Sequence, residues 1–122
     1  MTFKQITTVL ILVMVIVFNC NAQSDKFHHP DKFIQQLKNE KNPGKKIYQA
    51  YCENCHAKEP LIQVQAPKFR HLADWQLRLK QTDKLLFKHV DEGINTMPPR
   101  GGCFECSDKA LLAAIKYMLP QP

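Results

Sequence analysis

The sequence predicts an all-α domain of four or five short helices. Three observations carry that prediction. No stretch of the 122 residues alternates apolar and polar side chains with the period of two that a half-buried strand needs. The C-terminal stretch "SDKALLAAIKYMLP" has a capping serine, an acidic first turn, an apolar face and a proline stop. "TDKLLFKHVDEG" repeats the pattern, with Thr82 as cap, Asp83 in the first turn and Gly93 just past the end.

Residues 1–22 stand apart from that domain. Lys4 is their only charge, and the apolar run Val9–Phe18 leads into Asn19-Cys20-Asn21-Ala22. This pattern reads as a secretory signal cleaved after Ala22. The run is short of the about 20 residues that a membrane span requires. Two other readings stay open: Cys20 as the acylated cysteine of a bacterial lipoprotein, tethering the domain to a membrane, and an uncleaved anchor. All three export the domain. Without residues 1–22 the formal charge falls from +6 to +5. A basic surface of that size points to acidic partner proteins or an anionic membrane face. No stretch interleaves lysines with aromatics as strand-binding surfaces do, so nucleic acid is not expected.

Residues 23–42 are mostly polar and read as a flexible lead-in with a short helix or tether, Phe33, Ile34 and Leu37 forming a small apolar set. His28 and His29 read as a solvated pair. Asn42-Pro43-Gly44 is a break, and the domain proper runs over 43–122. From Lys45 to Cys55 the spacing of Ile47 and Tyr51 predicts a first helix whose last turn carries cysteines. Ala66-Pro67 marks a loop. Leu72, Trp75 and Leu79 are three and four apart, which predicts a short helix. In the last helix Leu111, Leu112, Ile115, Met118 and Leu119 make the apolar face, while Ala110, Ala113 and Ala114 are small enough for another helix to cross closely. So few short helices make a thin core, and small chains usually need a staple or a large buried group.

"YCENCHAKEP", residues 51–60, shows what such a group could be. Cys52, Cys55 and His56 admit three chemistries. A zinc site would add Cys103 and Cys106, but 47 residues separate the pairs where about 15–20 are usual, and His56 would have no part. A redox dithiol wants its first cysteine at a helix N-terminus after a strand, whereas this motif ends a helical run. The third chemistry is a covalent haem: two thiols at this spacing add to the two vinyl groups of one porphyrin, and the histidine that follows reaches the iron. With an export signal and an all-α pattern, this is the reading the sequence supports. The domain is then a small fold wrapped around one covalent haem c.

A sixth iron ligand must come from far along the chain. Met1 and Met14 lie in the leader and Met118 on the apolar face of the last helix, which leaves Met97 in "INTMPPRGG". Two prolines stiffen that loop and its glycines let it turn close to a flat ligand. His71 and His89 are the competing ligands. His89 reads as a partly exposed helix residue, so histidine with methionine is expected, a pairing that raises the potential.

At "GKKIYQAYCENCH", "APKF", Trp75, "GINTMPPRGGCFEC" and "SDKALLAAIKYM" the chain resembles the class I c-type cytochromes, and specifically the cytochrome c5 family. The resemblance spans about Gly44 to Met118. It implies haem bonded to Cys52 and Cys55, with His56 and Met97 as axial ligands of the iron. It implies that the Pro67 carbonyl takes a hydrogen bond from the other nitrogen of His56, orienting the ring. Trp75 and Arg78 would lie near the propionates. Cys103 and Cys106 would form a disulfide, a pairing export also favours. So small a loop stabilises by roughly 2 kcal/mol in the chain-entropy model. Residues 23–42 have no counterpart in the family.

The function expected is an exported, periplasmic one-electron carrier between respiratory redox partners, with no substrate turnover of its own, soluble or tethered. The alternatives are a haem-based sensor in which Met97 dissociates, and a membrane-tethered cytochrome subunit of an oxidase or reductase.

Overall fold

The computed structural model describes residues 28–121. Five helical runs and connecting loops make up that part, and among the described residues the only β pairing is an isolated bridge between Ile94 and Met97. The signal, lipoprotein and anchor readings of residues 1–22 all lie outside the described residues.

Helix α1 spans Pro30–Lys38, with proline at its start, Asp31 in the first turn and Lys38 in the last. Its apolar set is the one the sequence offered. Leu37 is buried, and Phe33 and Ile34 pack on a core of Ile47, Cys103, Cys106, Leu111 and Ala114. The stretch 30–38 is therefore helix packed on the domain, not free tether. His28, expected to be solvated, hydrogen-bonds Tyr51 Oη at 2.7 Å and Glu105 Oε1 at 2.5 Å. The ring remains half exposed, as expected, but it packs as well as bonds, edge-on to Tyr51 and tilted against Phe33.

The next run is continuous from Pro43 to His56: α2 (Pro43–Ile47), one wide π turn (Tyr48–Cys52), and α3 (Glu53–His56). Asn42, read as a break, is also this run's N-cap, its side chain accepting the Lys45 N–H at 3.0 Å. In the π turn Glu53 N–H bonds the Tyr48 carbonyl, five residues back. That extra residue shifts the register, so the face carrying the cysteines and His56 differs from the one burying Ile47.

Where a helix over Leu72–Leu79 was expected, α4 covers only Leu72–Trp75, followed by a single 3-10 turn at Arg78–Lys80. Trp75 alone enters the core; Leu72 and Leu79 are 61 % and 41 % exposed, so the spacing was helical without marking a buried face. Helix α5 spans Asp83–Glu92, capped by the Thr82 hydroxyl and ended by Gly93 at φ +80°. After a 3-10 turn at Pro99–Gly102, α6 runs over Asp108–Met118 with Ser107 as cap. Its buried face is Leu111, Ala114, Ile115 and Met118. Leu112 turns outward, since positions 111, 114, 115 and 118 share the helical stripe and 112 does not.

The core is made by α2 crossing α6. A Cβ on Gly44 would stand 2.2 Å from the Ala113 carbonyl oxygen, so the two backbones touch where the small residues allow it. A second cluster of Tyr48, Trp75 and Met118, with Cys52, Phe69 and Tyr117 against it, extends this crossing toward the cysteine motif.

Candidate functional site

His56 ends α3 and is 7 % exposed. Its Nδ1 donates to the Pro67 carbonyl at 2.8 Å, which fixes the tautomer and leaves the Nε2 lone pair as the ring's free donor. The loop that presents Pro67 is held on each side. Phe69 N–H returns to the His56 carbonyl at 2.6 Å, and Lys68 N–H donates to Asp74 at 3.0 Å. Trp75 Nε1 donates to the Lys68 carbonyl at 2.8 Å. Trp75, which the resemblance places near the propionates, commits its indole proton to this loop and helps to hold it. Arg78 reaches the Asp74 carbonyl at 2.5 Å and stands near enough to His56 for its charge to act on the ring. Burial holds the imidazole below its ordinary value against the opposing Pro67 bond, and Arg78 lowers it further.

Cys52 and Cys55 are free thiols, both half-buried. Burial, helped by Cys55, pushes the Cys52 thiol up to about 12. A reactive dithiol requires the opposite shift. Cys103 and Cys106 are joined by a disulfide, with Cα atoms 5.4 Å apart, so four thiolates for zinc are not on offer.

Met97 belongs to a second group. It pairs with Ile94 through two backbone hydrogen bonds of 2.9 and 3.2 Å, and its Cε lies 3.7 Å from where a Gly101 Cβ would be. A Cβ on Gly93 would fall 2.6 Å from the Met97 carbonyl oxygen, so only glycine fits where α5 gives way to this loop. The two groups adjoin where a Cβ on Gly102 would sit 3.9 Å from the Tyr51 ring. His71 bonds Asp74 at 3.0 Å beside the Pro67 loop, and His89 stays on α5.

Sequence reasoning missed three participants. Asp74 and the His28–Tyr51–Glu105 cluster left no local signal. Arg100 did leave one, a basic residue between the prolines and glycines after Met97, but its partners at two helix ends could not be paired from sequence.

The donor set fits a covalently held haem. Two neighbouring thiols can each add to a vinyl group, one imidazole is oriented with a free lone pair, and a thioether sits on a stiffened loop. Leu77, Leu79, Leu85 and Ile94, from the chain between the two groups, leave apolar faces outside the core that a flat apolar group would cover.

Comparison with known proteins agrees. The family model described as cytochrome c oxidase, cbb3-type, subunit III matches residues 39–118. Cytochrome c5 of Azotobacter vinelandii is 38% identical over 78 residues, which is 62% of this chain and 89% of that protein. Cytochrome c5 of Ectopseudomonas mendocina is 39% identical over 75 residues, 59% and 82% of the two chains. A chain from the crystal structure of an electron transfer complex of nitrite reductase with cytochrome c aligns with a TM-score of 0.56 at 36% identity, covering 62% of this chain and 89% of that one.

Proposed function

Because this chain belongs to the class I c-type cytochromes, in the family described as cbb3-type cytochrome c oxidase subunit III and similar to cytochrome c5, we propose that it is an exported respiratory electron carrier. Membership of the family brings covalently bound haem c with its iron. In our reading Cys52 and Cys55 form the two thioether links, and His56 and Met97 are the axial ligands. The bound group supplies a one-electron couple; the chain's residues supply position and surroundings.

The observation that carries this reading is the buried His56, oriented by Pro67 and following two free thiols. Lys68, Asp74 and Trp75 hold the Pro67 carbonyl, which keeps the imidazole in one orientation whatever the charge beyond it. Such preorganised donors need little rearrangement when an electron arrives or leaves. With His56 and Met97 both holding the iron, the chain would leave it no open position for a substrate.

The donors and acceptors we propose are proteins with acidic docking faces, met in the bacterial periplasm. The likeness to a cytochrome c crystallised with nitrite reductase supports a reductase as acceptor. The family description favours one other reading, a cytochrome subunit of an oxidase or reductase. Among the described residues no helix is long and apolar enough to cross a membrane. Such a subunit would therefore depend on Cys20 or the leader, and would co-purify as a stable complex.

Absorption spectra of protein made in an exporting, cytochrome-maturing host test the assignment. Reduced haem bands should stay with the polypeptide through acidified-acetone extraction. Pigment that washes out would remove Cys52 and Cys55 from their role. Met97→Ala should lower the reduction potential and admit carbon monoxide to the reduced protein; an unchanged potential would remove Met97.

A further inference from the structure

We infer that Arg100 is a positioning residue for Met97, clamping the ligand loop to the ends of two helices. This inference rests on the reading of Met97 as an axial ligand. The guanidinium spans three partners. Nη1 pairs with Asp91 in the last turn of α5, and Nη2 donates to the Cys106 carbonyl at 2.7 Å and to Asp108, first residue of α6, at 2.9 Å. One side chain thus ties together the helix before the loop, the helix after it and the disulfide turn.

Two further observations distinguish this from an ordinary surface ion pair. Arg100 has φ +57°, and with Gly101 at +58° and Gly102 at +88° it lies in a run of left-handed backbone. Glycine adopts that conformation freely, so an arginine at the first of the three positions is there for its side chain. Among the hydrogen bonds of the described residues, no other side chain from 94–102 joins the loop to the rest of the domain. The other hydrogen bonds of the loop are local backbone turns: Ile94 with Met97, Pro98 to Gly101, Arg100 to Cys103 and Gly102 to Phe104. Such turns set the loop's shape but not its place. The side chain is only 20 % exposed, and the planar fork engages three acceptors at fixed angles, which a flexible ammonium cannot reproduce. The carboxylates raise the guanidinium's already high proton affinity, so the clamp stays charged at every working pH.

The consequence is a thioether held where the iron can use it. Without the clamp the loop keeps its turns but swings at its two ends, and Met97 leaves the iron more often.

The test uses the haem-loaded protein and its Arg100→Gln and Arg100→Lys variants. Cyanide binding to the oxidised protein requires Met97 to let go, so its rate reports on the loop. Arg100→Gln should bind cyanide about tenfold faster, the usual scale for losing a group that orients a ligand, and should weaken the sulfur-to-iron charge-transfer band. Arg100→Lys should fall between. Asn42→Ala, which removes the cap of α2, should lower stability while leaving the cyanide rate unchanged. If Arg100→Gln does not load haem, Asp91→Asn combined with Asp108→Asn must show the same acceleration. A wild-type band with an Arg100→Gln rate within about twofold of wild type overturns the clamp alone. A wild-type protein without the band overturns the Met97 reading, and the clamp with it.

Discussion

The Pro67–Phe69 loop turns on Asp74. Its carboxylate takes the Lys68 N–H and pairs with His71, both at 3.0 Å. The Lys68 bond first, and His71 after it, hold the carboxyl below its ordinary value, against a smaller opposing effect of burial. A carboxyl whose folded value lies below its unfolded one stabilises fully above the unfolded value, about 4. That contribution disappears as pH falls through the folded value. Asp74→Asn should therefore reduce stability at pH 7 and lose less of it on acidification than the wild type. Urea midpoints at pH 7, 4 and 3 would show the two proteins converging toward acid; parallel curves would exclude the effect. The loop also carries the carbonyl that orients His56, so the variant should broaden the His56 ring resonances at neutral pH. At this scale the motif residues were legible because covalent chemistry fixes their spacing. Asp74 was not, because a carboxylate six residues from its partner amide follows from how the loop folds.

Among the elements, the crossing of α2 on α6 bears most of the fold. Gly44 meets the Ala113 carbonyl with no room for a methyl group. Gly44→Ala would gain about 1 kcal/mol in helix propensity. The forced separation of two packed backbones should cost about 3 kcal/mol, the upper end for overpacking. A net loss of about 2 kcal/mol follows, measurable as a lower urea midpoint of the haem-loaded protein; an unchanged midpoint would mean that the crossing is looser than it stands. The alanines of the last helix signalled a close crossing in the sequence, although not its partner. Caps were legible for a related reason. Thr82, Asp83 and Gly93, or Ser107 and Asp108, act within one turn of where they are written. The helix expected over Leu72–Leu79 was not so fixed. Its three apolar residues have helical spacing, yet only Trp75 finds a core to enter, and a 3-10 turn at Arg78–Lys80 follows the short α4. Likewise the π turn at Tyr48–Cys52 has no local signature, although it sets which way the thiols face.

For the whole molecule, charge and core size work together. The helices alone bury little, and the two core clusters close around the disulfide and the cysteine motif. The covalent group and the staple are thus part of what makes the fold stable. The outside is basic, +5 without residues 1–22. Attraction of that kind acts at long range and hastens encounter more than it strengthens the complex. A carrier needs fast arrival and fast release, so a net positive face suits the proposed role better than a large apolar interface would. The screening length falls from about 30 Å at 0.01 M salt to about 8 Å at 0.15 M, so the steering should fade over that range. Stopped-flow reduction of an acidic protein acceptor should slow by about tenfold as salt rises between those limits, while a neutral small-molecule oxidant should show no such dependence. A rate with the protein acceptor that is flat or rises with salt would mean that docking is not electrostatic.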